Sequence, residues 1–246
     1  MSNYLLPTML APIHSPTFRH RNVHLTKKLK PVPMTPTILD EYKSNYGLYN
    51  DFSIAVHNLL LSLLKKGTYK YHVSHRVKDV KSLSDKIERK RKLGVRYRHL
   101  KDIEDIAGIR IVFYTEGDRK RFIKKMIKEF GGWIELKETS GSSGYRATHA
   151  IATFDEKRTE LTEYARFKGL KCEIQLTLIL NHAWAEVEHD ILYKADNKLE
   201  HLDQTRFDSL KQRMEKIMSN YLKEASNELE SIVREIRKIK ITRSSK

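Results

Sequence analysis

Two short stretches of the chain alternate between apolar and polar residues, and both predict half-buried β-strands. In the first, which follows Gly108, Ile109, Ile111 and Phe113 alternate with Arg110, Val112 and Tyr114. In the second, Cys172, Ile174 and Leu176 alternate with Lys171, Glu173, Gln175 and Thr177. After the second stretch the period changes. Leu180, Trp184, Val187 and Ile191 recur at helical spacing, while His182, Glu186, His189 and Asp190 gather on a neighbouring face. A strand with an outward carboxylate thus runs almost directly into a helix crowded with acids and histidines.

Periodicity and punctuation predict the remaining elements. Thr35 followed by Pro36 reads as an N-cap and first helical residue, so a helix is expected to begin there. A second helical run is expected over 51–66, with Ile54, Val56, Leu59, Leu60, Leu63 and Leu64 apolar and Gly67 as C-cap. A strand over 69–77 is followed by a basic helix over 82–93 that ends at Gly94. An acidic turn with Asp102, Glu104 and Asp105 precedes the first alternating strand. Asp118 is expected to cap a basic helix reaching Phe130, which Gly131 and Gly132 break. Strands over 133–137 and 147–154 flank a loop, TSGSSG, at 139–144, and a short helix is expected within 156–168. From Leu202 to about Lys240 apolar residues recur at threes and fours with no proline, predicting long C-terminal helices. This order implies an α/β (α+β) sheet packed by helices.

All six prolines lie within the first 36 residues, which predicts an extended or partly disordered arm, 1–36, carrying Lys27, Lys28 and Lys30. A main domain over 37–195 and a helical extension over 196–246 complete the expected organisation. The formal net charge of +16 favours anionic partners such as nucleotides or RNA. The single cysteine, Cys172, excludes an internal disulfide and suits a reducing cytosol. No apolar run is long enough to span a bilayer, and the N-terminus lacks a secretory pattern, so a cytoplasmic location is expected and a membrane partner is not.

Four fragments then stand in register: HRVKDVKSLSDK at 75–86, EDIAGIR at 104–110, SSGYRATH at 142–149, and EIQ through WAEVEHDILYK at 173–194. In this order and spacing they resemble the synthetase domain of the RelA/SpoT family, specifically its small stand-alone alarmone synthetases, over roughly residues 70–195. The resemblance implies a nucleotidyltransferase-like synthetase fold around a mixed central sheet. It also implies a magnesium-dependent transfer of the β,γ-diphosphate of ATP to the ribose 3′-hydroxyl of GDP or GTP. Such chemistry asks for cations on a triphosphate, a metal to neutralise developing charge and a base for the hydroxyl.

Residue by residue, Arg76, Lys78, Ser82, Lys86 and Arg110 match the family's ATP-binding positions. Asp105 matches its magnesium-binding aspartate, and Glu173 the glutamate that binds metal, activates the hydroxyl, or both. Tyr145 matches the tyrosine that stacks on the acceptor base, with His149, Gln175 and Lys194 as further acceptor contacts. A basic helix or turn aspartate of this kind is more often merely solvated; the register of four fragments sets these apart. His182, Glu186 and His189 also have helical spacing for zinc, but without cysteine support the alarmone pattern explains the segment better.

The chain departs from the family pattern at Thr177 and Leu178, where Arg-Thr is usual, and near Gly141, where a basic residue is common. Both changes remove positive charge from the expected acceptor phosphates. They lean towards a second reading, a toxic relative that places pyrophosphate on the 3′ CCA end of tRNA, with Lys27, Lys28, Lys30, Arg119 and Arg121 on the RNA backbone. A third reading is an inactive RNA-binding module, against which the presence of both Asp105 and Glu173 argues. A hydrolase is disfavoured, because the roughly 70 residues before the match show no His-Asp metal pair. The C-terminal helices are candidates for a homo-oligomer interface or for binding an antitoxin.

Overall fold

The computed structural model describes residues 37–140, 146–188 and 203–244. A five-stranded mixed sheet is built from β1 (Tyr71–Val77), β2 (Ala107–Phe113), β3 (Ile134–Ser140), β4 (Arg146–Ala152) and β5 (Cys172–Leu178). The strand order is β1-β2-β5-β4-β3; β2 and β5 run parallel and the other neighbours antiparallel. The two alternating stretches are therefore adjacent strands at the centre of the sheet.

Their apolar positions supply the core. Ile109, Ile111, Phe113, Ile174 and Leu176 are buried with Ala150 and Ala152 of β4. Over this face pack α1 (Ile38–Lys65), through Tyr42, Tyr49, Phe52, Val56, Leu60 and Leu64, and α3 (Glu116–Phe130), through Phe122 and Met126. The opposite face keeps the polar positions of β2 and β5. Helix α2 (Val80–Lys92) flanks the sheet and buries Leu83, and α6 (Ile179–Val187) follows β5 directly. Two short helices, α4 (Glu156–Thr159) and α5 (Thr162–Ala165), lie between β4 and β5.

The expected break before residue 51 is absent: α1 is one helix of 28 residues. Its buried stripe runs unbroken past Gly47, and a lone glycine costs a helix only about 1 kcal/mol. Its N-cap is Thr37, in a capping box with Asp40, in place of the expected Thr35. Asp118 is likewise no cap. Thr115 caps α3, and Asp118 lies inside its first turn, fully buried, accepting from Lys70 N at 3.1 Å and pairing with Arg121 and Arg237. Gly94 ends α2 as expected, in the left-handed conformation that favours glycine (φ 81°). Strand β3 runs on to Ser140, taking in the start of the TSGSSG segment.

The C-terminal part is helical, as expected: α7 (Gln204–Lys216), a π-helical turn (Ile217–Leu222) and α8 (Lys223–Ser244). Trp184 of α6 donates its indole N–H to Met214 O at 2.9 Å. Glu230 of α8 accepts from Gly117 N at 2.8 Å, so a carboxylate from the far end of the chain sits on the N-terminus of α3. Leu229, Ile232, Ile236 and Ile239 of α8 are exposed. Among the described residues no helix is long and apolar enough to cross a membrane.

Candidate active site

The polar face of the sheet assembles in rows. Arg76 of β1 pairs with Gly108 of β2, which pairs with Glu173 of β5; one step along, Arg110 pairs with Gln175, which pairs with His149 of β4. Since side chains two apart on a strand share a face, Arg110, His149, Glu173 and Gln175 all project to the same side. Gly108 lies between Arg76 and Glu173. A Cβ there would meet Arg76 Cγ at 3.7 Å and Nε at 3.8 Å, ordinary contact distances, so its absence opens the floor between Arg76 and Glu173.

Asp105 enters this cleft from the turn before β2. Lys78 Nζ lies 3.2 Å from its Oδ2 and Lys86 Nζ 2.6 Å from its Oδ1. Lys78 is held by its backbone on both sides: its N–H donates to Ile106 O at 2.9 Å, and its carbonyl accepts from the hydroxyl of Tyr42 on α1. Burial pushes Asp105 up, but Lys86 and Lys78 outweigh it and hold the carboxyl below its usual range. Its Oδ1 is buried and accepts no well-directed hydrogen bond, although Lys86 stands beside it.

Glu173 has both oxygens engaged: His149 Nδ1 lies 3.0 Å from Oε1, and Gln175 Nε2 donates to Oε2 at 2.8 Å. Burial raises this carboxyl too. The bonds to His149 and Gln175 prevail over burial and over the charge of Asp105, and the net direction is down. Gln175 in turn accepts from Arg110 Nε at 3.2 Å, and the guanidinium of Arg110 pairs with Glu186 on α6. His182 Nδ1 is 3.5 Å from the same Glu186 carboxylate; burial and then Arg110 push its imidazole below the ordinary value.

Between these groups is a cleft of about 70 Å³, lined among others by Ser74, Arg76, Asp105, Gly108, Glu173 and Gln175. That is far below the ~300–1,000 Å³ of a pocket that closes round a small molecule. Among the described residues no group of three or more His, Cys, Asp or Glu side chains is placed to hold a metal. Two carboxylates, one with an oxygen lacking a directed partner, nevertheless suit Mg²⁺. This ion takes one or two protein carboxylates and completes its shell with water and phosphate.

Of the residues singled out from the sequence, Arg76, Lys78, Lys86, Asp105, Arg110, His149, Glu173 and Gln175 are brought together. Ser82 closes the first turn of α2, its hydroxyl donating to Asp79 Oδ2 at 2.5 Å. Arg119 and Arg121 belong to α3, on the core side of the sheet. Arg119 is only 12% exposed, bound to Glu116, Thr148 Oγ1 and Leu176 O, and Arg121 pairs with the buried Asp118. Thr177 is buried. Tyr145, His189, Lys194, Lys27, Lys28, Lys30 and Gly141 lie outside the described residues. Sequence reasoning did not single out Tyr42 or Lys137, or foresee Glu186 as a partner of Arg110. Lys137 faces His149 across β3 and β4 and pairs with Glu104 at 2.6 Å; its strand alternation was the available signal.

The family described as the region found in RelA / SpoT proteins matches residues 75–198, which contain every cleft residue named above except Ser74. The chain belongs to the RelA/SpoT family. It is 27% identical over 173 residues to GTP pyrophosphokinase YwaC of Bacillus subtilis, covering 65% of this chain and 79% of that one. It is 30% identical over 131 residues to GTP pyrophosphokinase YjbM of the same organism, covering 50% and 56%. Its fold matches the crystal structure of small alarmone synthetase 1 from Bacillus subtilis with a TM-score of 0.62 at 19% identity, over 81% of this chain and 99% of that one. That synthetase has also been solved bound to AMPCPP and to its product pppGpp. This RelA/SpoT chain is thus a distant homologue of GTP pyrophosphokinases with the fold of small alarmone synthetases.

Proposed function

We propose that this protein is an ATP-dependent pyrophosphokinase that moves the β,γ-diphosphate of ATP to the ribose 3′-hydroxyl of GDP or GTP, making the alarmone (p)ppGpp. The supporting observation is the convergence of Asp105 and Glu173 on one cleft with Arg76, Lys78, Lys86 and Arg110 around them. The acceptor oxygen bonds to the β-phosphorus, the bond from that phosphorus to the α–β bridging oxygen breaks, and AMP leaves. Lys78 and Lys86 bind the donor phosphates, and Arg76 and Arg110 hold the adenine end. Glu173 takes the hydroxyl proton. Asp105 and Glu173 would hold Mg²⁺, which when bound neutralises charge on the transferring phosphates. Tyr145, His149 and Lys194 take the acceptor roles that the match to the family implies, Tyr145 by stacking on the base. The homologue bound to AMPCPP and to pppGpp supports ATP and a guanine nucleotide as the substrates.

A tRNA 3′ end is the second reading of the acceptor. Thr177, on the same face as Glu173 and Gln175 and 2% exposed, brings no charge to a position where arginine is usual. The internal bonds of Arg119 take one of the expected RNA contacts away from it. Incubation with γ-labelled ATP and GDP, GTP or deacylated tRNA decides between them. Label in a guanine nucleotide supports the first reading, label in tRNA alone the second, and no transfer to any acceptor refutes both.

A further inference from the structure

A glutamine amide has nearly the same shape either way round, and its partners decide which end is oxygen. At Gln175 both ends meet groups of fixed polarity. Arg110 Nε can only donate and lies 3.2 Å from Oε1; the carboxylate of Glu173 can only accept and lies 2.8 Å from Nε2. Arg110 is itself held from the far side by Glu186 of α6. One chain of polar contacts therefore crosses four elements, from His149 on β4 through Glu173 and Gln175 on β5 to Arg110 on β2 and Glu186 on α6.

We propose that Gln175 is a positioning residue, whose amide is locked by Arg110 and Glu186 so that its N–H always faces Glu173 and fixes that carboxylate across the cleft. This role towards Glu173 stands beside the expected one of orienting the acceptor, because the amide oxygen and one N–H serve neighbours and a glutamine amide has a second N–H. A glutamate has three rotatable bonds, and the pair of contacts from His149 and Gln175 selects one placement of its oxygens. The lock also ties the donor side to the base, since Arg110 lies on the donor side of the proposed reaction. The inference rests on that reaction for its kinetic readout only.

The charged and titratable groups facing Glu173 are Asp105 from the turn before β2, Arg76 on β1, Arg110 on β2, Lys137 on β3 and His149 on β4. Gln175→Leu keeps all of them and removes only the amide. Crystal structures of wild type and variants read the placement of the Glu173 carboxylate, and steady-state kinetics read the reaction. The expected result for Gln175→Leu is a Glu173 carboxylate that leaves its wild-type position or occupies more than one. With it kcat falls about 10–100-fold, and KM for ATP changes little. Glu186→Ala, which leaves Gln175 intact and removes a half-exposed side chain, displaces the carboxylate and lowers kcat by less. A Glu173 carboxylate unmoved in both variants overturns the proposal, as does a loss confined to KM for the acceptor. Should Gln175→Leu not fold, as judged by circular dichroism, Glu186→Ala decides alone. A wild-type protein that transfers to no acceptor, with Glu173 still displaced in the variants, refutes the reaction and leaves the positioning role standing.

Discussion

Lys86 Nζ stands 2.6 Å from Asp105 Oδ1, although one residue comes from the middle of α2 and the other from the turn before β2. With Lys78 on the other oxygen, the pair holds a half-buried carboxylate in its ionised form. Because the folded value is depressed, this stabilisation is fully present above the ordinary aspartate value of ~3.9 and is lost as pH falls through the lower folded value. Chemical denaturation of wild type and Asp105→Asn between pH 7 and pH 2 should show a stability gap that closes at the acid end. A gap independent of pH would refute the ion-pair account.

Glu173→Gln should lower pyrophosphate transfer by roughly 10²–10⁴, the range for losing a general base or metal ligand, with ATP affinity retained. The amide keeps the shape, and one of its ends can still meet His149 or Gln175. Turnover at the wild-type rate in a labelled-ATP assay would remove Glu173 from the chemistry.

Gly108→Ala tests the cleft floor. The new methyl meets Arg76 at 3.7 Å and 3.8 Å, so folding should be unharmed, or stabilised by about 0.4–1 kcal/mol through a less flexible unfolded chain. The methyl nevertheless occupies the gap between Arg76 and Glu173, and ATP affinity measured by calorimetry should drop. Unchanged affinity would place the nucleotide elsewhere.

Glu230→Ala tests the docking of α8. Glu230 is 8% exposed and bonded to Gly117 N and Arg234. Burial pushes its carboxyl up, but these bonds outweigh it, so the charged form is the one held. Leaving the half-buried N–H without its charged partner should cost about 1–3 kcal/mol in thermal or urea denaturation. Glu230 contacts α3, which packs on the core face of the sheet and not on the face of the cleft, so near-normal transfer is expected at temperatures where the variant is folded.

The local pattern alone determined the two central strands, the outward positions of Arg110, Glu173 and Gln175, the basic helix ending at Gly94 and the helical C-terminus. Each is a property of one element, and alternation or a 3.6 period is written within ten or twenty residues. The register of four fragments also determined the family. The tertiary structure decided what local pattern cannot carry. It fused two predicted helices into α1, since a continuous buried stripe outweighs a single glycine. It moved Asp118 from an exposed cap to a buried anchor for Arg237, 119 residues away, and turned Arg119 inward to Thr148 and Leu176. Above all, it paired β2 with β5 in parallel, which placed Arg110 beside Gln175 and Gly108 beside Glu173 across 65 residues of chain. Periodicity shows that a side chain leaves the core; which charge it then meets depends on packing between distant elements, and that packing is what makes these residues a site.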